Sequence, residues 1–271
     1  MELRATRYLV DEHVATVVLA RPERHNAWTG RMHAEYRWCM QQAEQDTRIR
    51  AVVVTGEGAA FCVGGDSRAL SGHADRGGYD DGLPDEAARP GYGVHPFFDA
   101  DFAWHFGLRL PVIAAVNGAC AGVGLVLACY CDLRFVAVDA KLTTAAAKIG
   151  LPAEYGLSWL LPRLIGLTRA ADLLLSSRVI LGSEAASIGL ANEALPASEV
   201  LTRAQEYARL LSTGVSPAAV SATKRQLYAD LVDLDVGRAV RSSVSTMNTL
   251  IDGAEYREGV LAMREKRRPE F

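Results

Sequence analysis

A chain of 271 residues with 49% hydrophobic content can bury one large core or two small ones. Its 29 Lys and Arg against 32 Asp and Glu, spread along the chain for a formal charge of -3, lack the basic footprint that nucleic acid requires. The opening MELRATRYLV has no charged start followed by a long apolar run, and no later stretch holds the roughly 18 charge-free apolar residues of a membrane span. The expectation is a soluble, cytoplasmic protein with no nucleic-acid or membrane partner.

The predicted elements begin with two strand-like runs, Arg4 to Val10 and Val14 to Ala20, joined by Asp11-Glu12-His13 as a hairpin and ended by Pro22. From Thr29, Met32, Tyr36, Met40 and Ala43 recur at helical spacing, and the all-apolar Ala51 to Val54 reads as a strand. Ser71 to Gly93 is rich in Gly, Asp and Pro and predicts a mobile loop. The aromatic run that follows, with Tyr92, Phe97, Phe98, Phe102, Trp104 and Phe106, either lines a hydrophobic pocket or anchors the loop on the core. Pro111 to Val116 reads as a strand, Gly124 to Tyr130 as a short helix, Leu133 to Val138 as a strand and Ser158 to Leu164 as a helix. The order thus recurs as stacked strand–helix turns. After Leu195-Pro196 the pattern is helical: Val200 to Leu211, Pro217 to Leu234, and a last amphipathic helix from Val240 before a basic tail. This divides the chain into an α/β core over 1–195 and a helical, oligomer-forming region over 196–271.

Cys39, Cys62, Cys120, Cys129 and Cys131 are odd in number and mostly sit in apolar segments, as reduced core thiols do. The C-x-C pair at 129 and 131 has no second Cys or His cluster nearby, so neither a metal nor a redox cofactor is expected.

Two glycine-bearing loops carry the chemistry. Phe61-Cys62-Val63-Gly64-Gly65-Asp66 and Val116-Asn117-Gly118-Ala119-Cys120-Ala121-Gly122-Val123-Gly124 each follow an apolar strand-like run and lead toward a helix. Together they can aim two backbone N–H groups at one oxygen, stabilising an enolate or oxyanion with donors fixed before the charge develops. A helix starting near Gly122 adds its positive end. Gly also marks tight turns and close packing, which is the purely structural alternative for both loops.

With Arg21-Pro22-Glu23-Arg24-His25-Asn26-Ala27 before them, Cys131-Asp132 counted with the second loop that it follows, and the ending Arg264-Glu265-Lys266-Arg267-Arg268-Pro269, these loops give four motifs in order. The chain resembles, essentially end to end, the enoyl-CoA hydratase/isomerase (crotonase) superfamily. The resemblance implies a spiral of ββα turns, a C-terminal helical region used in forming a homotrimer or dimer of trimers, and acyl-CoA thioesters as ligands, with coenzyme A part of the substrate. It implies an oxyanion hole from the N–H groups of Gly65 and Val123, where Val replaces the usual Gly or Ala. It places Arg24 and Arg68 near CoA phosphates, although an exposed Arg on a turn is often simply solvated. Ala27, Gly64, Gly122, Phe98 and Trp104 complete the expected substrate contacts, and Lys266 and Arg267 are further candidates across a subunit boundary.

The pattern breaks where hydratases of this family carry two glutamates: those positions hold Val126 and Ala146, which cannot move protons. Losing a general acid or base typically costs ~10²–10⁴ in rate. Glu154, in Gly150-Leu151-Pro152-Ala153-Glu154-Tyr155-Gly156, stands where the resemblance to 4-chlorobenzoyl-CoA dehalogenase marks a nucleophilic Asp, so it is the expected proton-transfer residue; a carboxylate stabilised by a helix dipole is the alternative. The dehalogenase itself is not expected, because Thr143-Thr144-Ala145-Ala146 stands where its Trp-His pair would be and His73 is only a loose match for its other His. Asp99, Asp101, His95 and His105 are weaker acid–base candidates, read first as surface residues. The expectation is an acyl-CoA enzyme of hydratase, isomerase or lyase type working through an enolate. A non-catalytic acyl-CoA binder and a CoA-thioester hydrolase are the alternatives.

Overall fold

The computed structural model describes residues 1–67 and 96–271. Arg68, His73, Tyr92, His95 and the predicted loop from Ser71 to Gly93 lie outside the described residues. Strands β1 (Thr6–Asp11) and β2 (Val14–Leu19) form the expected antiparallel hairpin, with Asp11 opposite Val14. Helix α1 (Gly30–Gln45) starts where Thr29 caps it, its hydroxyl accepting the Met32 N–H at 3.1 Å. The buried Glu35 of α1 accepts N–H groups from Arg4, Ala5 and Thr6, tying the chain entry to the helix.

Each following turn of chain supplies a strand to one sheet and then a short strand to another. β3 (Ala51–Gly56) is followed by β4 (Ala60–Cys62), β5 (Val112–Val116) by β6 (Ala119–Ala121) and, after helix α2 (Val123–Tyr130), β7 (Leu133–Ala137) by β8 (Lys141–Thr143). Helices α3 (Leu157–Ile165) and α4 (Leu167–Ser176), strand β9 (Ile180–Leu181), helix α5 (Gly182–Ser187) and strand β10 (Glu193–Leu195) complete the core. The large sheet runs β1-β2-β3-β5-β7-β10, parallel from β2 onward, and the small one runs β4-β6-β8-β9. This is the α/β spiral of the crotonase fold. The all-apolar strands β3 and β5 are buried along their whole length, as parallel strands covered on both faces must be.

Four helices follow: α6 (Ala197–Thr213), α7 (Pro217–Leu231), α8 (Val236–Ile251) and α9 (Ala254–Glu265). The single terminal helix expected from Val240 is two, because Gly253 starts a new helix just after Asp252 ends α8. Helix α6 buries Val200, Ala204 and Ala208 against the large sheet. Helix α7 is bound to the core through Asp132: Lys224 Nζ donates to Asp132 Oδ2 at 2.7 Å and to the Leu110 carbonyl at 2.8 Å, and the Tyr228 hydroxyl donates to Asp132 Oδ1 at 2.7 Å. The Val112 N–H also donates to Asp132 at 2.6 Å. All five cysteines are buried free thiols, and among the described residues no helix is long and apolar enough to cross a membrane.

Removing one partner of a buried ion pair leaves the other charge desolvated, at a cost of about 3–5 kcal/mol. Lys224 is only 5% exposed, so Asp132→Ala is expected to lower the thermal midpoint by about 10 °C. Tyr228→Phe, which removes one hydrogen bond and no charge, is expected to cost about 1.5 kcal/mol in the same denaturant and thermal titrations.

Candidate active site

The two glycine loops meet because nothing but hydrogen fits between them. A Cβ on Gly124, in the first turn of α2, would overlap the Cys62 carbonyl oxygen at the end of β4, so the helix start and the other loop pack backbone to backbone. Gly122 has φ 51 and precedes the helix, and a Cβ there would lie 3.6 Å from the Gly64 Cα. Asn117 and Asn26 fix the turn between β3 and β4: Asn117 Nδ2 donates to the Gly58 carbonyl at 2.8 Å and buried Asn26 Nδ2 to the Ala60 carbonyl at 2.8 Å.

The main-chain groups singled out by the sequence have defined directions. Gly65 forms a parallel bridge with Trp28 that uses the Gly64 carbonyl and the Asp66 N–H, which leaves the Gly65 N–H on the opposite side. Val123 is the first residue of α2, whose Gly122 N-cap supplies no side-chain acceptor, so its N–H is one of the orphan donors at a helix start. Val123 itself is buried.

Glu154 comes to the same place. Its Oε2 lies 3.8 Å from the Cβ position of Gly122, and the Thr144 carbonyl oxygen lies 4.0 Å from the same point. Burial alone pushes the Glu154 carboxyl above the ordinary glutamate range, which favours its neutral form. The segment that carries it is held from outside: the Tyr130 hydroxyl donates to the Tyr155 carbonyl at 2.7 Å, and the Tyr155 ring packs edge-on to Phe102 at 5.0 Å. Gly156 has φ 75 and stands so close to the Tyr130 hydroxyl that a Cβ would come within 2.8 Å of it. A cavity of about 320 Å³ is lined by Asp101, the segment from Leu151 to Ala153, Glu154 and Tyr155.

Val126 and Ala146 are both buried, and the Ala146 N–H turns back onto the Thr144 carbonyl at 2.7 Å. Phe98 helps to wall a second, apolar cavity of about 420 Å³ with Phe97, Phe106, Tyr130, Trp159 and Val232. Trp104 does not line that cavity. It lies in the core, stacked on His105 at 3.9 Å with the Arg37 guanidinium 5.0 Å over its ring. Arg24 faces Asp66 at 3.3 Å, which Arg21 also pairs at 3.0 Å, and the Ala27 carbonyl accepts from Arg21 at 2.5 Å. Arg267 is paired within its own chain to Glu258 and Glu265, and Lys266 caps α9 in a left-handed conformation.

The enoyl-CoA hydratase/isomerase family profile matches residues 10–271. The chain belongs to the enoyl-CoA hydratase/isomerase family. It is 33% identical to the 1,2-epoxyphenylacetyl-CoA isomerase of Escherichia coli K12 over 268 residues, covering 97% of this chain and 96% of that protein. It is 35% identical over 271 residues to a probable enoyl-CoA hydratase of Rhodobacter capsulatus, covering 100% and 99% of the two chains. The crystal structure of a probable enoyl-CoA hydratase/isomerase from Mycobacterium abscessus superposes with a TM-score of 0.85 at 29% identity, over 98% of each chain.

In this family member, the residues that sequence reasoning missed are those that hold the site rather than form it. Tyr130 and Phe102 carry no motif, and only the fold reveals that they brace the Glu154 segment. The weak candidates separate cleanly. Asp99 and Asp101 are exposed, whereas His105 is fully buried, against its reading as a surface residue, because it sits in an aromatic stack with Trp104 and Tyr36. The Phe102 carbonyl can only accept, so His105 Nδ1–H donates to it at 2.5 Å and Nε2 accepts the Tyr36 hydroxyl at 2.7 Å. This neutral tautomer fits a ring whose pKa burial pushes down to about 3.

The unfolded chain protonates His105 near the ordinary histidine pKa of about 6.5, while the folded chain holds it neutral until pH falls to about 3. The contribution is therefore fully present above pH 6.5 and is lost as pH falls through that window, by about 1.4 kcal/mol per pH unit. Denaturant titrations from pH 7 to pH 4 are expected to show this slope in the wild type and a shallower one in His105→Gln.

Proposed function

We propose that this chain is an acyl-CoA thioester enzyme. It binds the thioester carbonyl between the N–H groups of Gly65 and Val123 and moves a proton at the adjacent carbon with Glu154. The observation that carries this reading is the Glu154 carboxyl 3.8 Å from the Cβ position of Gly122, one residue before the orphan N–H of Val123. A group that accepts negative charge on oxygen and a group that handles a proton belong side by side in enolate chemistry, since each makes the other's step easier. Burial raises the Glu154 carboxyl above the ordinary glutamate range, which suits a residue that must hold a proton before giving it up.

The reaction is addition–elimination or double-bond migration through the thioester enolate. Val126 and Ala146 exclude the two-glutamate route at those positions. No metal is required for the proposed step, and CoA enters with the substrate. Arg24 is the cation placed to meet CoA phosphates, sharing Asp66 with Arg21 until they arrive. The apolar cavity beside Gly156 receives the acyl group. A cavity of ~150 Å³ suffices for benzene, so about 420 Å³ walled by Phe98, Phe106, Tyr130 and Trp159 accommodates an aromatic acyl group of the kind named for the Escherichia coli relative.

Association of chains through the C-terminal helices is part of the same reading. Val236, Val240, Val244, Met247 and Ile251 form a stripe along α8 that is exposed throughout, and α8 buries no residue in the single chain.

Glu154→Gln is expected to lower turnover of 2-enoyl-CoA or 3-enoyl-CoA by ~10²–10⁴-fold while leaving CoA-ester affinity intact, followed by enone absorbance and calorimetry. CoA esters that bind the wild type but are never turned over would instead identify a binding protein, and thiol release would identify a hydrolase. In sedimentation, the wild type is expected to run as a trimer or a multiple of it, and Val240→Glu with Val244→Glu as smaller species.

A further inference from the structure

We infer that Asp101 is the second proton carrier of this site, working across the cavity it shares with Glu154; the inference rests on the acyl-CoA reading above. The two positions where a second carboxylate is expected hold Val126 and Ala146, both buried and apolar. The cavity beside Glu154 nevertheless has two carboxylate residues on its wall, Glu154 and Asp101. They come from different parts of the chain. At about 320 Å³ it has room for several waters of ~30 Å³ each.

The surroundings of the two carboxyls differ in the sense that acid–base pairs need. Glu154 is pressed into apolar surroundings, and burial raises its carboxyl above the ordinary glutamate range. Asp101 is half-exposed and has two basic side chains beside it, with its Oδ1 3.9 Å from Arg37 Nη1 and 3.8 Å from His33 Nε2. Arg37 is fully buried and stacks over Trp104, so its charge is fixed in place beneath the carboxylate. His33 is itself set by edge-on packing against Trp28 and Phe102, and Phe102 also touches Tyr155 beside Glu154. One aromatic cluster therefore positions both carboxyls. Asp101 thus lies beside a fixed guanidinium and opens to solvent, while Glu154 lies among apolar groups.

Applied to a 2-enoyl thioester, the step balances as the addition of water. Asp101 takes a proton from a water as its oxygen bonds to Cβ, and the C=C electron pair moves to the thioester oxygen as the enolate. Glu154 then gives its proton to Cα as the enolate collapses. The product contains the elements of one water, and the proton on Asp101 returns through solvent to Glu154. The enzyme is unchanged, and nothing is oxidised or reduced.

The test separates the two carboxyls by what each alone must do. Exchange of the Cα protons of a saturated acyl-CoA in D2O, read by mass spectrometry, needs Glu154 and the backbone donors but no second carrier. Hydration of the corresponding 2-enoyl-CoA, read by loss of enone absorbance, needs both. Asp101→Asn is expected to lose ~10²–10⁴-fold in hydration while Cα exchange changes by less than about threefold, and Asp101→Glu to recover part of the hydration rate. Glu154→Gln is expected to lose both. Equal losses of exchange and hydration in Asp101→Asn would show a merely structural role, and unchanged hydration would show none; either overturns the inference. A wild type that exchanges but does not hydrate overturns it while leaving the acyl-CoA reading standing, and one that does neither overturns both.

Discussion

The site depends on one close approach. The start of α2 presses on the end of β4 with a glycine at the contact, since a Cβ at Gly124 would occupy the place of the Cys62 carbonyl oxygen. Interiors are close-packed, so a side chain there could not be absorbed by slight adjustment and would push the two loops apart. Gly65, Gly122 and Val123 lie within two or three residues of that contact, and their relative placement inherits its rigidity. The orphan N–H groups at a helix start are present in any helix; here they lie beside a second loop, a Cβ at Gly122 falling 3.6 Å from the Gly64 Cα.

Around that backbone the side chains differ from the two-glutamate pattern that the resemblance implies. Val126 and Ala146 fill their positions with buried apolar groups, which closes those places to water as well as to protons. A carboxyl instead enters from the 150–156 segment, whose left-handed residues Gly150, Tyr155 and Gly156 turn the chain tightly enough to bring Glu154 against Gly122. Membership of a family fixes the fold and the main-chain geometry far more firmly than it fixes which side chain moves the proton.

The sequence made the frame legible where the physical signal is strong and local. Apolar runs such as Ala51 to Val54 and Pro111 to Val116 became buried parallel strands, and Thr29 marked the start of α1. The three-residue strands β4, β6 and β8 were invisible because three residues are too few to show a period; their pairing is decided by neighbours remote in sequence. Of the candidate site, the loops at 64–65 and 122–124 and the carboxyl at 154 stood out, since glycines in order and an unaccounted acidic residue are visible in one dimension. Trp104 did not stand out as a core residue, because an aromatic next to a polar loop reads alike whether it faces a pocket or, as here, stacks on His105 beneath Arg37. Nor did the brace from Tyr130 to Tyr155, a contact 25 residues apart that no motif encodes.

Asp132 illustrates how a motif residue can serve the site without touching it. It follows Cys131 just after α2, and its carboxylate gathers the Val112 N–H, Lys224 and Tyr228 into one buried knot. The Tyr228 ring then stacks on Phe106 at 3.9 Å, and Phe106 meets Tyr130 at 5.2 Å. Two of these rings wall the apolar cavity, and Tyr130 also carries the hydrogen bond that holds the Glu154 segment. A helix of the C-terminal region is thus mechanically continuous with the candidate acyl pocket and, through Tyr155, with the proposed acid. The first two helices after residue 195 therefore close the core, and their contacts set the shape of the space in which an acyl group would lie.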